Sequence, residues 1–350
     1  MSDRQTFRLG AIADVRWGNT NTTKASYVPR GYRAYSATGP DGYLAHADYS
    51  ETGVVVSAIG AQCGRSWLAR GQWSCIKNTI RILSRSEDLD IEYLYWLLQS
   101  EDIWPKRGSA QPFISQTDAR EVSVALPPPA QQHAIAEVLG ALDDKIEANR
   151  RIESLCWSLA RAQFEAAIAT ADELVPLSSL LKLEYGKALP AGVRRLGPTP
   201  VYGSGGIVGR HDKPLVTGPG VIVGRKGTAG SVHWSQRAFF PIDTTFYVTN
   251  VSVPMVFAYF ALRCLRLDSM NSDSAVPGLN RNTAMCQMVP LPGKEDLATF
   301  GGRAEVLVDA AEATASESCA LETLRDTLLP ELVTGELRVR DAEALVEEAV

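Results

Sequence analysis

The same order of short motifs occurs twice in this 350-residue chain, at an offset that hardly changes. Self-similarity at a fixed spacing constrains the fold more than any single motif, because each copy must build the same structural unit. The main matched pairs, at offsets of 167, 167, 166 and 165, are Tyr35 and Tyr202, Trp67 and Trp234, Tyr93 and Tyr259, and Leu126 and Leu291. Between them, Gly60 and Gly64 correspond to Gly227 and Gly230, and Asn78-Thr79 corresponds to Thr244-Thr245. The sequence therefore predicts a tandem duplication of one domain.

Each copy contains short runs of β-branched residues that are interrupted by Gly, Pro and Asn. One helical segment follows in each copy, near Ile91–Gln99 or Met255–Leu265. This pattern is typical of short strands connected by turns and loops. We therefore predict the α/β class, with residues 1–129 and 172–293 forming two similar mixed α/β domains, each with a strongly bent sheet and long loops.

A long helix is predicted after each domain. Pro127–Pro129 precede the first one, and proline fits the first turn of a helix. Apolar residues then recur at helical spacing, with a shift of phase halfway, and we assign residues 130–171 to this central helix. Its apolar positions are Ile135, Leu139, Leu142 and Ile146, then Ile152, Leu155, Leu159 and Ala162.

The second long helix is assigned to residues 294–340, and residues 341–350 to a tail. Leu307, Thr314, Leu321 and Leu328 fall seven residues apart, which is typical of a coiled-coil seam. Pro330 predicts a kink or an early stop. Because one such helix follows each domain, we expect the two to pair as an antiparallel, coiled-coil-like spacer, giving the chain an internal pseudo-two-fold repeat.

Charge is distributed unevenly along the chain. The net charge is −5, yet residues 172–293 carry 12 Lys or Arg against 7 Asp or Glu, and residues 294–350 carry 5 against 14. A basic surface on an acidic protein is therefore compatible with binding to nucleic acid. The six cysteines and four histidines are scattered, so no disulfide framework and no metal site are predicted.

No sequence feature points to a membrane or to catalysis. Apolar runs stay short of the roughly 20 residues of a membrane helix, and no signal peptide is recognisable, so we expect a cytoplasmic protein. Adenine methyltransferases carry Asp/Asn-Pro-Pro-Tyr/Phe and many nucleotide-binding enzymes a P-loop, and neither motif occurs. The glycine-rich segment Gly203–Gly209 lacks the following βαβ pattern of a dinucleotide site, and is interpreted as a loop that allows close backbone approach.

Several segments resemble the specificity subunits of type I restriction–modification systems. Leu126–Ala136, running into Leu142–Asn149, resembles the family's central conserved region, and Leu328–Val339 its distal one. Tyr202–Ile207 and Val54–Gly64 resemble loops of its recognition domains. One departure is that the second Leu-Pro is followed by Gly-Lys-Glu-Asp instead of a triple proline and Gln-Gln.

The resemblance implies a non-catalytic subunit that reads double-stranded DNA. Its partners would be two adenine methyltransferase subunits, which bring S-adenosylmethionine and methylate adenine at N6. Where present, two motor–nuclease subunits would bring ATP and Mg, so this chain itself would bind no cofactor. Each recognition domain would read one block of a bipartite target, and paired helices of about 40 residues, about 60 Å long, would set the spacer between blocks.

Two sets of candidate binding residues follow from the loops and from the resemblance. Arg and Asn suit bidentate contacts to guanine and adenine, whereas Lys and Ser more often hold phosphates. The DNA-binding candidates are Gln62, Arg65, Lys77, Asn78, Ser109, Gln111, Ser204, Arg225, Lys226, Thr228, Asn280 and Arg281. The partner-binding candidates are Gln131, Gln132, Ile135, Asp143, Lys145, Asn149, Glu322, Arg325, Glu331 and Glu336.

Two alternatives remain open from the sequence. A stand-alone DNA-binding or regulatory protein would bind a specific sequence stably without a methyltransferase partner. A scaffold that binds proteins would show no DNA affinity, or none that falls steeply with salt concentration.

Overall fold

The computed structural model describes residues 4–99, 103–108, 110–270 and 278–349. They form two units: unit 1 consists of Met1–Glu147 and Ser318–Val350, and unit 2 of Ala148–Glu317. Each unit therefore contains one strand-rich domain and one part of each long helix. This division differs from the predicted domain boundaries, which kept each long helix whole.

In its described residues, the first domain contains nine short strands and three short α-helices. The strands are β1 Gln5–Arg8, β2 Ala13–Trp17, β3 Tyr32–Ser36, β4 Gly39–Leu44, β5 Gly53–Ser57, β6 Ser66–Ala69, β7 Trp73–Cys75, β8 Thr79–Ser84 and β9 Ser123–Leu126. The helices are α1 Leu9–Ile12, α2 Ile91–Leu97 and α3 Gln116–Glu121. The long helix α4, Pro129–Ala169, follows directly.

The second domain repeats this series before the second long helix. Its strands are β10 Glu173–Pro176, β11 Lys182–Tyr185, β12 Thr199–Gly203, β13 Gly206–His211, β14 Gly220–Gly224, β15 Val232–Ser235, β16 Phe240–Pro241, β17 Thr245–Thr249 and β18 Met288–Leu291. Its helices are α5 Leu177–Leu180, α6 Met255–Cys264 and α7 Arg281–Met285, and α8 Lys294–Thr334 and α9 Val339–Ala349 come after them.

The sheets of the two domains have the same topology. The first domain contains sheets of order β2-β8-β5-β6, β4-β3-β7 and β1-β9, and the second contains β11-β17-β14-β15, β13-β12-β16 and β10-β18. Every strand is thus matched by the strand nine places later. The hairpins β3–β4 and β12–β13 even share a register shift, between Ala34 and Tyr35 and between Val201 and Tyr202. The mixed α/β class and the repeat of two similar domains are confirmed.

One of the sequence matches is wrong by one residue. Val55 pairs with Trp67, whereas Ile222, which occupies the position of Val55 in the second domain, pairs with His233. The β14–β15 loop is one residue shorter than the β5–β6 loop, and a slip of one residue exchanges the faces of a strand. Trp67 accordingly packs beside Val55 in a small cluster, while Trp234 packs on the main core of unit 2.

The core of unit 1 combines the first domain with one pair of helix segments. The first third of α4 and the last third of α8 contribute to the same buried cluster as strands β5 and β8 and helix α2. The fully or almost fully buried members include Val54, Ile82, Tyr93, Ile135, Leu139, Leu142, Ile146, Leu321, Leu328 and Leu332. Helix pairing in this unit is therefore inseparable from the domain core.

The core of unit 2 is rich in aromatic side chains. Phe164 of α4 lies 5.2 Å from Phe257 and 5.6 Å from Phe260 of α6, and 5.9 Å from Phe300 of α8, between ring centroids. The beginning of α4 thus packs with the end of α8 in unit 1, and the end of α4 with the beginning of α8 in unit 2. This order shows that the two long helices run antiparallel, as predicted.

The second long helix ends earlier than the predicted 294–340. Pro330 lies inside α8, which continues to Thr334. Gly335 then adopts φ +81°, a left-handed conformation that glycine tolerates, and its N–H donates to the carbonyl of Glu331 at 3.0 Å. The predicted tail, 341–350, is largely part of α9, whose Ala342 is buried in the core of unit 1. At the other end of α8, Glu295 and Asp296 lie in the first turn, where their negative charges interact favourably with the partial positive charge of the helix N-terminus.

None of the helices in the described ranges is long and apolar enough to cross a membrane. Within the same ranges no group of His, Cys, Asp and Glu side chains is arranged to hold a metal ion.

Candidate nucleic-acid interface

Backbone hydrogen bonds gather three loops of the first domain into one surface. The Ala58 N–H donates to the carbonyl of Asn78 at 3.0 Å, and the Ala58 carbonyl accepts from the Ile114 N–H at 2.9 Å. The Gly60 N–H donates to Pro112 at 2.9 Å. The β5–β6 loop therefore lies between the turn before β8 and the segment before α3, and most of the predicted first-domain residues belong to these three loops.

The second domain builds the same framework. The Arg225 N–H donates to the carbonyl of Thr244, and its carbonyl accepts from the Leu279 N–H, both at 2.9 Å. Lys226 forms an isolated β-bridge with Gly278, just as Ile59 does with Phe113 in the first domain. Arg225 thus occupies the position of Ala58. We call this arrangement of three loops the loop framework of each domain.

The tips of the frameworks are shaped by glycine. Gly60 and Gly227 have φ values of +90° and +79°, which side-chain-bearing residues rarely adopt. A Cβ at either position would have no neighbour within 4 Å. These two glycines are therefore required by backbone conformation, and the space around them is open.

The predicted first-domain side chains lie largely at the surface. Arg65 is exposed, lies 5.7 Å from the ring centre of Trp67, and donates to Gln62 Oε1 at 3.1 Å. Lys77 and Asn78 are exposed, and Asn78 has φ +68°. Gln111 is exposed as well, whereas Ser109 lies outside the described residues.

One buried group in this framework is structural. Cys63 is 7% exposed, and its thiol donates to the Ala58 carbonyl at 3.5 Å. Burial raises the pKa of the Cys63 thiol, although the charge of Lys106 opposes the shift. The thiol is therefore neutral near pH 7 and supports the loop.

The second-domain framework holds two arginines on one aromatic ring. The guanidinium carbons of Arg225 and Arg281 lie 4.8 and 5.2 Å from the ring centre of Tyr185, within the range of cation–π attraction. Tyr185 is 46% exposed, and its ring lies 5.0 Å from that of Phe246. Lys226 and Thr228 are exposed on the neighbouring loop. The structure thus brings together Arg225, Lys226, Thr228 and Arg281.

Two predicted second-domain residues have structural roles that sequence reasoning did not foresee. Ser204 is 6% exposed, and its hydroxyl donates to the Thr244 carbonyl at 2.6 Å. Asn280 caps α7, because its side-chain oxygen accepts from the N–H groups of Asn282 and Thr283 at 2.9 and 3.2 Å. Ser204 is corrected to a buried residue that fixes the loop, and the carbonyl oxygen of Asn280 is already engaged.

Sequence reasoning also missed three residues of the frameworks. Tyr185 corresponds to Trp17, since each ends the first strand of its four-stranded sheet. Gln116 corresponds to Arg281, since each follows the N-cap of its short helix, and Gln116 Oε1 accepts from the Trp17 N–H at 3.3 Å. A signal existed, because an aromatic residue followed by glycine recurs as Trp17-Gly18 and Tyr185-Gly186.

Several predicted partner-binding residues on the long helices are buried inside the protein. Ile135 is fully buried and Gln132 is 1% exposed. The Gln132 amide accepts from the Asp90 N–H and donates to the carbonyls of Asp88 and Pro127. Asn149 is 2% exposed and donates to Glu317 Oε2 at 2.9 Å. These three are corrected to structural residues, since no partner could reach their side chains.

The other partner-binding candidates are more accessible but largely engaged. Arg325 forms ion pairs with Asp143 and, at 2.8 Å, with Asp326. Lys145 and Glu322 also have interaction partners within the protein. Gln131 and Glu331 are half-buried and Glu336 is exposed.

An apolar stripe on the second half of α4 faces solvent. We define the α4 seam as Ile152, Leu155, Leu159, Ala162, Ala166 and Ala169, all of which are exposed. Ile152, Leu155 and Leu159 are 45%, 68% and 50% exposed. Spacings of three and four residues alternate along the seam, as in a coiled coil. The sequence predicted that the first four of these residues would pair within the chain, and the structure shows that they do not.

Comparisons with known proteins agree on one family. Residues 1–155 match the family model described as the type I restriction modification DNA specificity domain. The EcoDI specificity subunit of a type I restriction enzyme from Escherichia coli is 40% identical over 83 residues, which are 23% of this chain and 18% of that subunit. The S subunit of a type I restriction–modification system from M. genitalium superposes with a TM-score of 0.73 over 95% of this chain and 96% of that one, at 19% identity.

These comparisons and the repeated architecture define a class of two-domain proteins with paired long helices. Residues 1–155 are thus similar to the type I restriction modification DNA specificity domain, and the chain shares the fold of a type I S subunit. The structural likeness supports the fold over nearly the full length, while the sequence match spans only 18% of the curated relative's length.

Proposed function

We propose that this chain is the sequence-reading subunit of a type I restriction–modification complex and that it is itself non-catalytic. The observation that supports this most strongly is the pair of equivalent loop frameworks, which share backbone hydrogen bonds but carry different side chains. Ala58 and Gln116 in the first domain stand where Arg225 and Arg281 stand in the second. A common framework with exchanged side chains suits two readers of two different base sequences.

The chemistry of both frameworks suits double-stranded DNA. Guanidinium, ammonium and amide groups at exposed positions can contact phosphates and the edges of bases in a groove. We therefore propose a bipartite target, with one block read by each domain. S-adenosylmethionine would be held by an adenine methyltransferase partner that methylates N6, and ATP and Mg by a motor–nuclease partner, in the cytoplasm.

We further propose that the α4 seam binds a helix of the methyltransferase subunit. Six apolar residues over 18 positions form five turns of a coiled-coil face, and such a face is stabilised when a second helix removes it from water. The partner-binding side chains that the sequence predicts are mostly buried or engaged inside the protein, so the seam is a better candidate. Two methyltransferase subunits per chain remain part of the proposal.

Mapping N6-methyladenine tests the main proposal. The chain is co-expressed with its cognate adenine methyltransferase, and methylation is mapped across the host genome. A single split motif, methylated on both strands and lost when the chain is omitted, supports the proposal. If a soluble complex with an active methyltransferase produces no methylated motif, the proposal is wrong, and a stand-alone DNA-binding protein becomes the better explanation.

A separate experiment tests the seam. The double variant Leu155→Asp/Leu159→Asp should fail to co-purify with the methyltransferase, while its own unfolding midpoint stays close to that of the wild type. Val306→Asp is the matched control, because Val306 lies on α8 and is as exposed as Leu155, at 68%. Retained co-purification of the double variant, or equal loss in the control, would show that the seam is not the contact.

A further inference from the structure

Arg225, Tyr185 and Arg281 stand where the first domain carries Ala58, Trp17 and Gln116, although the backbone hydrogen bonds at the position of Arg225 and Ala58 are the same in both domains. The N–H and carbonyl of Arg225 make the same two hydrogen bonds as those of Ala58, to Thr244 and Leu279 in one domain and to Asn78 and Ile114 in the other. The loop conformation therefore does not require an arginine. The role of Arg225 therefore lies in its side chain and not in the loop backbone.

The Arg225 guanidinium is partly held but not neutralised. Its Nη1 donates to the carbonyl of Asp243 at 3.2 Å, and its planar group lies on Tyr185 and, at 6.0 Å, near Phe246. Among the residues that the structure describes, no carboxylate forms an ion pair with Arg225 or Arg281. The cluster thus holds two positive charges on a half-exposed aromatic ring, with hydrogen-bond donors to spare.

Two kinds of acceptor on DNA fit such a group: phosphate oxygens, and the O6 and N7 atoms of guanine. Phosphates occur at every position of every DNA target. A phosphate contact made by one framework would therefore be equally useful in the other domain of the same chain, and its replacement by alanine would not be expected. A base contact must change when the base changes. The replacement of Arg225 by Ala58 at the same framework position therefore favours the base.

We propose that Arg225 reads a guanine in the block bound by the second domain, through a bidentate contact to O6 and N7, and that Tyr185 and Arg281 position its guanidinium. This inference rests on the proposed function. The first domain carries Trp17, Ala58 and Gln116 at the three equivalent positions. In the block bound by the first domain, we therefore expect no guanine that is read by an arginine at the position equivalent to that of Arg225.

The consequence is a specific pattern of selectivity. A good bidentate contact discriminates its base from the others by roughly 5- to 150-fold. Arg225→Ala should lower discrimination by about that factor at one guanine of one block, and leave the other block unchanged. Arg225→Gln should shift the preference at the same position toward adenine, because glutamine makes a bidentate contact to adenine.

The test is methylation mapping of the wild type and variants, each co-expressed with the cognate methyltransferase, together with DNA binding of each complex at several salt concentrations. Arg263→Ala is the matched control, because Arg263 also lies over a tyrosine, 5.5 Å from Tyr259, but on α6 away from the loop framework. It should keep wild-type selectivity. Tyr185→Ala should relax the same guanine position as Arg225→Ala, and Tyr185→Phe should restore selectivity by restoring the ring.

The outcomes distinguish a guanine contact from a phosphate contact, and either of these from a failure of the proposed function. A wild-type motif without guanine in either block, or unchanged selectivity in both Arg225 variants, overturns the inference and leaves the proposed function intact. Uniformly weaker binding to all sequences, with a salt dependence reduced by about one phosphate contact, shows a phosphate contact instead and also overturns it. A wild type that directs no split motif overturns the proposed function and this inference together.

Discussion

Phe164 and Leu155 lie nine residues apart on α4, which is about two and a half helical turns, so their side chains point to opposite faces. Phe164 is 1% exposed among Phe257, Phe260 and Phe300, whereas Leu155 is 68% exposed. Replacing Phe164 by alanine removes a buried ring and leaves a cavity, which costs roughly 3–5 kcal/mol in well-packed cores. That range includes the contribution of the aromatic pairs that are lost with the ring, so we expect the free energy of unfolding to fall by about 4 kcal/mol.

Leu155→Ala is the matched comparison and should change the free energy of unfolding by less than about 0.5 kcal/mol, as is usual at the surface. The assay is urea unfolding followed by tryptophan fluorescence. Trp157 reports on unit 2, because its ring lies 5.3 Å from that of Tyr259 in the same core. A Leu155 variant as destabilised as the Phe164 variant would refute the exposed seam, and a negligible effect at Phe164 would refute the aromatic core.

Two further predictions concern unit 1. Gln132→Ala should lower the free energy of unfolding, measured with urea, by about 1–3 kcal/mol, because it leaves buried backbone groups without the hydrogen bonds that the Gln132 amide supplies. Gln131→Ala should lower it by less than about 0.5 kcal/mol. Equal effects of the two substitutions would contradict this role of Gln132. Partial burial raises the pKa of Asp41, but hydrogen bonds from Lys24, Thr38, Tyr27 and Ser36 outweigh it and hold that pKa well below its usual range. Such a carboxyl stabilises the fold above its unfolded-state pKa of about 3.9, and the contribution is lost as pH falls through the lower folded-state pKa. Asp41→Asn should therefore lower the unfolding midpoint at pH 7 and differ progressively less from the wild type below about pH 4; a difference independent of pH would count against it.

The duplicated fold could be predicted because both copies keep the residues that the backbone requires. Gly60 and Gly227 occupy left-handed conformations at equivalent positions, and Thr79 and Thr245 each begin the equivalent strand with a hydroxyl bonded to a carbonyl three residues earlier. The match of Trp67 with Trp234 failed for a physical reason. The second domain keeps a tryptophan in the equivalent strand, but because its preceding loop is one residue shorter, that tryptophan has a different register and lies on the other face of the strand.

Candidate binding side chains are harder to predict than the fold, because polar residues in loops often bind backbone groups of their own domain instead of a ligand. Ser204, Asn280 and Arg225 are all polar residues in predicted loops, so the sequence does not distinguish them. In the structure, the side chains of Ser204 and Asn280 bind backbone groups of their own domain. Arg225 differs because a planar cation needs a support, and Tyr185 lies 40 positions away in sequence. Only the three-dimensional pairing of β11 with β17 brings that ring beside the loop.

The α4 seam shows where periodicity alone misleads. At 3.6 residues per turn, Phe164 follows Ile146 by five full turns, so both belong to one face of the helix. Asn149 continues that face and is buried with a glutamate partner, which hides it from a search for apolar residues. Ile152 looks like a continuation of the apolar series but lies on another face. The apparent shift of phase therefore arises because two faces of the helix overlap in sequence, one that closes the core and one that faces solvent.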